Sequence, residues 1–189
     1  MIPVVCLVKN ERPIDESTFR FLLQFVQPEK RERILRQRIK QNADNMLVGD
    51  ILAKYMVKRE FGIPFSCQQI SYGQYGKPYL TRYPDVHFNI SHSGRFVVCA
   101  VCSFPVGIDV QEIVSYNPDV ARRVCSEKEM DYIEHTENTS FAFTEIWTRK
   151  EAISKLSGHG IYGMIAETPP EYSSVLSWSV EHGYLSVVW

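Results

Sequence analysis

The hydrophobic period of this chain changes near residue 62, and that change constrains its fold more than any other feature. Over residues 43–60 apolar side chains recur at helical spacing through Leu47, Ile51 and Tyr55, and Gly62 and Pro64 end the run. Short extended pieces follow (QQISY, VHFNIS, FVVCAV, VGIDV), separated by Gly, Pro and Ser turns. Helical signals return at Ser126 and Glu129, which have capping-box spacing, and in a helix predicted over residues 140–156 and closed by Gly158 and Gly160. The tail alternates through Leu176, Trp178 and Val180, turns at His182 and Gly183, and alternates again to Trp189, which predicts a terminal hairpin. The N-terminal apolar run reads as a strand. After it, Ser17 is the expected cap of a helix carrying Phe19, Leu22, Leu23 and Val26, interrupted by Pro28. Such an order lacks the regular alternation of a doubly wound sheet and predicts an α+β fold.

Charge excludes a generally basic nucleic-acid binder, because 21 Lys and Arg face 22 Asp and Glu. Phosphate chemistry, if present, has to be local. The stretch EKRERILRQRIK is one such place, with Lys30, Arg31, Arg33, Arg36, Arg38 and Lys40. No stretch approaches the ~20 apolar residues that span a bilayer, and the N-terminus has no basic leader. Five scattered cysteines read as reduced thiols of a cytoplasmic protein, with Cys99 and Cys102 on opposite faces of one strand.

Four segments could carry chemistry. In VGIDVQEI, Asp109 sits within an apolar run, where its carboxylate is either neutralised by a cation or solvated at a rim; Gln111 shares its side, while Glu112 points oppositely and reads as solvent-facing. In IWTRKEAISKL, Trp147, Glu151 and Lys155 share a helix face, so carboxylate and ammonium meet either as a surface ion pair or in a site. In FNISHSG, a strand runs into a polar turn where Ser91, His92, Ser93 and Gly94 offer donors to an anion. A turn also holds Lys77, between Gly76 and Pro78, whose ammonium meets a phosphate or is solvated.

In this order, GKP, FNISHSG, GIDV and W-x-x-KE-x-x-x-K resemble the 4'-phosphopantetheinyl transferase superfamily, and in particular its two-lobed surfactin-synthetase-activating class. PEKRER, LVGD and GYLSVVW extend the likeness over nearly the whole chain. The resemblance implies two pseudo-symmetric α+β lobes, residues 1–104 and 105–189, with coenzyme A and Mg2+ in the cleft between them. It implies Asp109 and Glu151 as metal ligands, Lys155 at the phosphate that leaves with 3',5'-ADP, and Lys30, Arg33, Lys77, Ser91 and His92 as substrate-binding residues. Two positions depart from the family pattern. Gln111 stands where a third acidic ligand is usual, and Asn45 where an arginine is frequent, which trims the phosphate clamp. The second lobe is also short between Gly160 and Trp178.

The implied reaction moves the phosphopantetheine arm of coenzyme A onto a serine of an acidic acyl or peptidyl carrier protein, with Glu151 or a metal-bound water taking the hydroxyl proton. Glu151 and Lys155 are then the catalytic residues, and Asp109, Glu151 and Gln111 the metal set, in a monomer. A coenzyme A-binding module without turnover and a metal-dependent phosphoesterase are the alternatives.

Overall fold

A single strand, Phe96–Cys102 (β5), is buried along its whole length and organises the chain around it. The computed structural model describes residues 2–158 and 174–189. On one face of β5, Val97, Cys99 and Val101 pack with Ala53, Met56 and Val57; on the other, Phe96, Val98, Ala100 and Cys102 pack with Ile108, Val110, Leu185 and Val187. Strand alternation thus places Cys99 and Cys102 in different cores. Burying both faces is why FVVCAVC is uninterruptedly apolar.

The element order before β5 is β1 (Val4–Lys9), α1 (Glu16–Leu23), α2 (Pro28–Leu35), α3 (Lys40–Phe61), β2 (Ile70–Tyr72), β3 (Pro78–Leu80) and β4 (His87–Ser93). After it come β6 (Gly107–Glu112), α4 (Pro118–Val124), α5 (Glu127–Glu134), α6 (Thr139–Ser157), β7 (Val175–Val180) and β8 (Gly183–Val188). The first sheet has the order β1-β5-β4 and the second β6-β8-β7, with β2 and β3 forming a separate ribbon. Each three-stranded sheet therefore consists of a leading strand and a later hairpin whose second strand pairs with it. The mixed helix and sheet content is that of an α+β fold.

Local chemistry explains most boundaries. Gly62 adopts φ 69° past the end of α3, a left-handed conformation that a side chain resists. Ser126 and Glu129 form the expected reciprocal capping box on α5. The cap of α1 is Asp15 rather than Ser17: its carboxylate accepts from the Thr18 N–H at 2.9 Å, and Ser17 lies inside the helix, donating to the same group. Pro28 does not interrupt a helix but opens α2, where its missing N–H costs nothing. The terminal hairpin turns at His182, at φ 58°. Gly160 and most of the shortened stretch lie outside the described residues.

Candidate active site

Three helices, α2, α3 and α6, supply the cleft together with residues of β2, β3, β4 and β6. On α2, Lys30 and Arg33 are one turn apart and face a cavity of about 160 Å³ together with Asn45, Asp50, Tyr72 and His92. The Arg33 guanidinium lies 5.8 Å from the centroid of the Tyr72 ring. Burial lowers the proton affinity of Lys30; Asp50 counteracts this and Arg33 reinforces it. His92 keeps solvent access, yet desolvation, then Lys155 and Lys30, hold its pKa below the ordinary imidazole value. At neutral pH it is an uncharged ring that can donate one hydrogen bond.

A second cavity of about 260 Å³ is lined by Lys77, Glu151 and Lys155, and shares Gly76, Pro78 and Ile90 with the first. The two cavities adjoin as one cleft with cations at both ends. Lys77 is neither solvated nor free in a turn: its ammonium donates to Leu156 O at 2.7 Å, near the C-terminal end of α6, and burial lowers its pKa to about 8. A cation at that end also meets the negative pole of the helix.

Where the cleft crosses from one sheet to the other, Lys155 Nζ lies 2.6 Å from Asp109 Oδ1 and 2.8 Å from Ser91 Oγ, and Ser91 donates to the same Asp109 oxygen at 2.6 Å. The other oxygen, Oδ2, is buried without a hydrogen-bond partner among the described residues. A buried carboxylate oxygen with nothing donating to it is costly unless a cation answers it. Glu151 has its pKa raised by burial and then by the Asp109 carboxylate, with Lys155 opposing. Two oxygen donors beside a phosphate-sized cavity fit a hard divalent cation such as Mg2+, which keeps positions for ligands other than protein. Gln111 lies two residues along β6 on the same side, half-buried, and lines neither cavity. Among the described residues no three His, Cys, Asp or Glu side chains gather as a metal site.

Several expectations change. Ser91 and His92 lie within β4, and the turn after it is Gly94 and Arg95. Glu112 does not face solvent: its carboxylate accepts from the Arg95 N–H at 3.2 Å and fills the space where a side chain at Gly94 would stand. Asn45 lines the first cavity but also donates to Gly94 O and accepts from Asn10 and Gln41, so it ties α3 to the end of β1 and the β4–β5 turn. Lys150, although part of the KE motif, pairs with Glu129 on α5 at 2.9 Å. Asp50, the last residue of LVGD, and Tyr72 line the first cavity although the sequence motifs assigned neither a role. The ion pair of Asp50 with Lys54, one turn on, was the available signal, since acids rarely sit alone on an apolar helix face.

Comparison with known proteins shows the family to which the chain is similar. The family described as "4'-phosphopantetheinyl transferase, N-terminal" matches residues 12–104, and the "4'-phosphopantetheinyl transferase superfamily" matches residues 105–182. The 4'-phosphopantetheinyl transferase Sfp of Bacillus subtilis is 35% identical over 154 residues, covering 80% of this chain and 68% of the relative. The 4'-phosphopantetheinyl transferase gsp of Aneurinibacillus migulanus is 34% identical over 157 residues (82% and 65%), and psf-1 of Bacillus pumilus is 33% identical over 164 residues (83% and 70%). The motifs, the cleft they form and these matches over both halves agree: the chain belongs to the 4'-phosphopantetheinyl transferase superfamily.

Proposed function

We propose that this chain transfers the 4'-phosphopantetheine arm of coenzyme A to a serine hydroxyl of an apo acyl or peptidyl carrier protein, releasing 3',5'-ADP. The observation that carries the site assignment is Asp109 Oδ2, without a hydrogen-bond partner among the described residues and buried beside Glu151 and Lys155 at one end of the cleft. Asp109 and Glu151 would hold Mg2+, and Gln111 would add its amide oxygen, directly or through a water. When bound, the ion neutralises charge on the pyrophosphate of coenzyme A.

The chain's own residues do the rest. Lys30 and Arg33 take the 3'-phosphate, His92 donates to the nucleotide's phosphates, and Lys77 lines the passage between the two ends. Ser91 fixes the Asp109 carboxyl so that Oδ2 is the free oxygen. Glu151 accepts the proton of the carrier serine as its oxygen bonds to the β-phosphorus, and the bond from that phosphorus to the bridging oxygen breaks. Lys155 stabilises charge on the departing 3',5'-ADP.

One chain supplies both ends of the cleft, which supports a monomer, and the shared strand order of the two sheets supports lobes divided between residues 104 and 105. Five free cysteines fit a reducing cytoplasm. No described helix is long and apolar enough to cross a membrane. The basic run from Lys30 to Lys40 suits an acidic carrier. The test is to incubate the protein with coenzyme A, Mg2+ and a panel of apo carriers and weigh the products. Mass gain on a carrier that requires its serine supports the proposal. Release of free phosphopantetheine, or coenzyme A binding without any transfer, overturns it.

A further inference from the structure

Three alternate residues of β4 are polar, and all three turn toward β6. Asn89 Oδ1 accepts from the Ile108 N–H at 3.3 Å, Ser91 donates to Asp109, and Ser93 Oγ accepts from the Glu112 N–H at 3.1 Å. Just beyond the strand the Arg95 N–H donates to Glu112 Oε1. On its other edge β6 pairs with β8, and the Ile113 N–H bonds to His182 O. Alternation along an antiparallel ladder therefore turns the N–H groups of Ile108 and Glu112 away from β8, toward β4. Those N–H groups would be orphaned were they not met by side chains. Ile108 and Asn89 are 0% and 4% exposed, so water does not substitute freely there.

We infer that Asn89 and Ser93 are positioning residues for the transfer reaction: they clasp β6 on either side of Asp109 and fix where its carboxylate stands relative to Ser91 and Glu151. The inference rests on Asp109 and Glu151 being the metal ligands. Ser93 lines neither cavity; Asn89 borders the second cavity beside Glu151 and Lys155, but its amide oxygen is engaged by the Ile108 N–H. Their effect passes through the backbone of β6, because a strand held only from β8 could shift its outward edge while keeping its own ladder. The polar period of two in FNISHS is thus a clasp between the sheets, with Ser91 its middle member and the only one that reaches the Asp109 side chain directly. Gly94 belongs to the same device. A Cβ there would stand 1.9 Å from the Glu112 side chain, so the turn can close over β6 only without a side chain.

The experiment compares the full chain with Ser93→Ala, Ser93→Thr and Asn89→Ala. Mg2+ uptake is measured by calorimetry at saturating coenzyme A, alongside kcat, KM for coenzyme A and Tm. Ser93→Ala and Asn89→Ala should weaken Mg2+ uptake roughly tenfold, the lower end of what residues behind metal ligands contribute. Their kcat should fall with it while KM for coenzyme A at saturating Mg2+ changes less than about twofold. Ser93→Thr keeps the hydroxyl and should restore uptake. If Tm falls but Mg2+ uptake and kcat do not, the clasp is only structural and the inference is overturned; Ser93→Thr matching Ser93→Ala would overturn it too. Should Asn89→Ala fail to fold, the Ser93 pair decides alone. A wild-type chain that takes up no Mg2+ instead removes the metal site on which the inference rests, and is recognised before any variant is compared.

Discussion

Lys155 and Asp109 pair across the molecule, ammonium to carboxylate at 2.6 Å, joining α6 to β6 at the point where the proposed metal would sit. The lysine thus supplies positive charge to a carboxylate that a second cation also needs. Two cations on one carboxylate compete, so Lys155→Ala should bind Mg2+ more tightly in the absence of coenzyme A, while its kcat falls by about 10²-fold, the scale of removing one electrostatic stabiliser of a developing anion. Calorimetric titration and single-turnover rates read the two effects separately. Weaker Mg2+ binding in the variant would mean that Lys155 orders Asp109 rather than competing for it.

Glu151 gives opposite signs for stability and activity. Burial and the Asp109 carboxylate raise its folded pKa above the unfolded value, so between the two the folded chain holds the proton more tightly. The metal-free protein should therefore lose stability as pH rises from the ordinary carboxyl value through the raised one, and Glu151→Gln should remove that loss. At neutral pH the metal-free variant should be more stable than the wild type, yet at least ~10²-fold slower if Glu151 is the general base. Thermal unfolding across pH 4 to 8, set beside initial rates, checks both. An unchanged pH dependence of Tm would show that Glu151 is not held against its charged form.

At the other end of the cleft, half-buried Lys30 and exposed Arg33 should differ in kind. If both meet the 3'-phosphate, Lys30→Ala should weaken coenzyme A by about 1.5–3 kcal/mol, as for a hydrogen bond to a charged group, and barely affect 3'-dephospho-coenzyme A. Arg33→Ala should act more weakly, through a contact that salt erodes. Binding of both ligands at two salt concentrations separates these cases. Equal weakening of both ligands would assign the run to general electrostatics.

How far the sequence could be read depended on the range of the interaction. The α3 and α6 helices, the Ser126–Glu129 box, the Gly62 stop and the terminal hairpin are written in neighbours a few residues apart, and they were legible. The order of motifs along the chain was legible through resemblance. Contacts made by folding were not. Lys77 finds the Leu156 carbonyl 79 residues away, and Glu112 is drawn over Gly94 by a turn on a different strand. Alternation correctly sent Glu112 to the side opposite Asp109, but it carries no information about what waits there. Between Asp15 and Ser17 both side chains are competent caps, and the choice follows from where the helix begins, which neighbouring residues leave open by a turn.

Gln111 is the position where this chain leaves its family's pattern, and the structure narrows what it can do. It sits on the Asp109 side of β6, opposite Tyr184 in the ladder, and is half-buried. The shared side of β6 is what supports an approach of its amide oxygen to a cation on Asp109 Oδ2, and that oxygen is neutral and attracts Mg2+ less than a carboxylate does. Gln111→Glu should therefore lower the Mg2+ concentration for half-maximal rate, whereas Gln111→Ala should change little where a water takes the amide's place. A third carboxylate near Asp109 and Glu151 has a second consequence with its own sign. Like charges raise each other's proton affinity, so the metal-free Gln111→Glu protein should lose stability more steeply above the carboxyl range than the wild type does, and Mg2+ should restore it. Titrating Mg2+ against initial rate at saturating coenzyme A tests the first effect, and Tm with and without Mg2+ tests the second. If Gln111→Glu moves neither the midpoint nor the Mg2+-dependent part of Tm, residue 111 lies beyond the ion's reach and the protein's metal ligands are Asp109 and Glu151 alone.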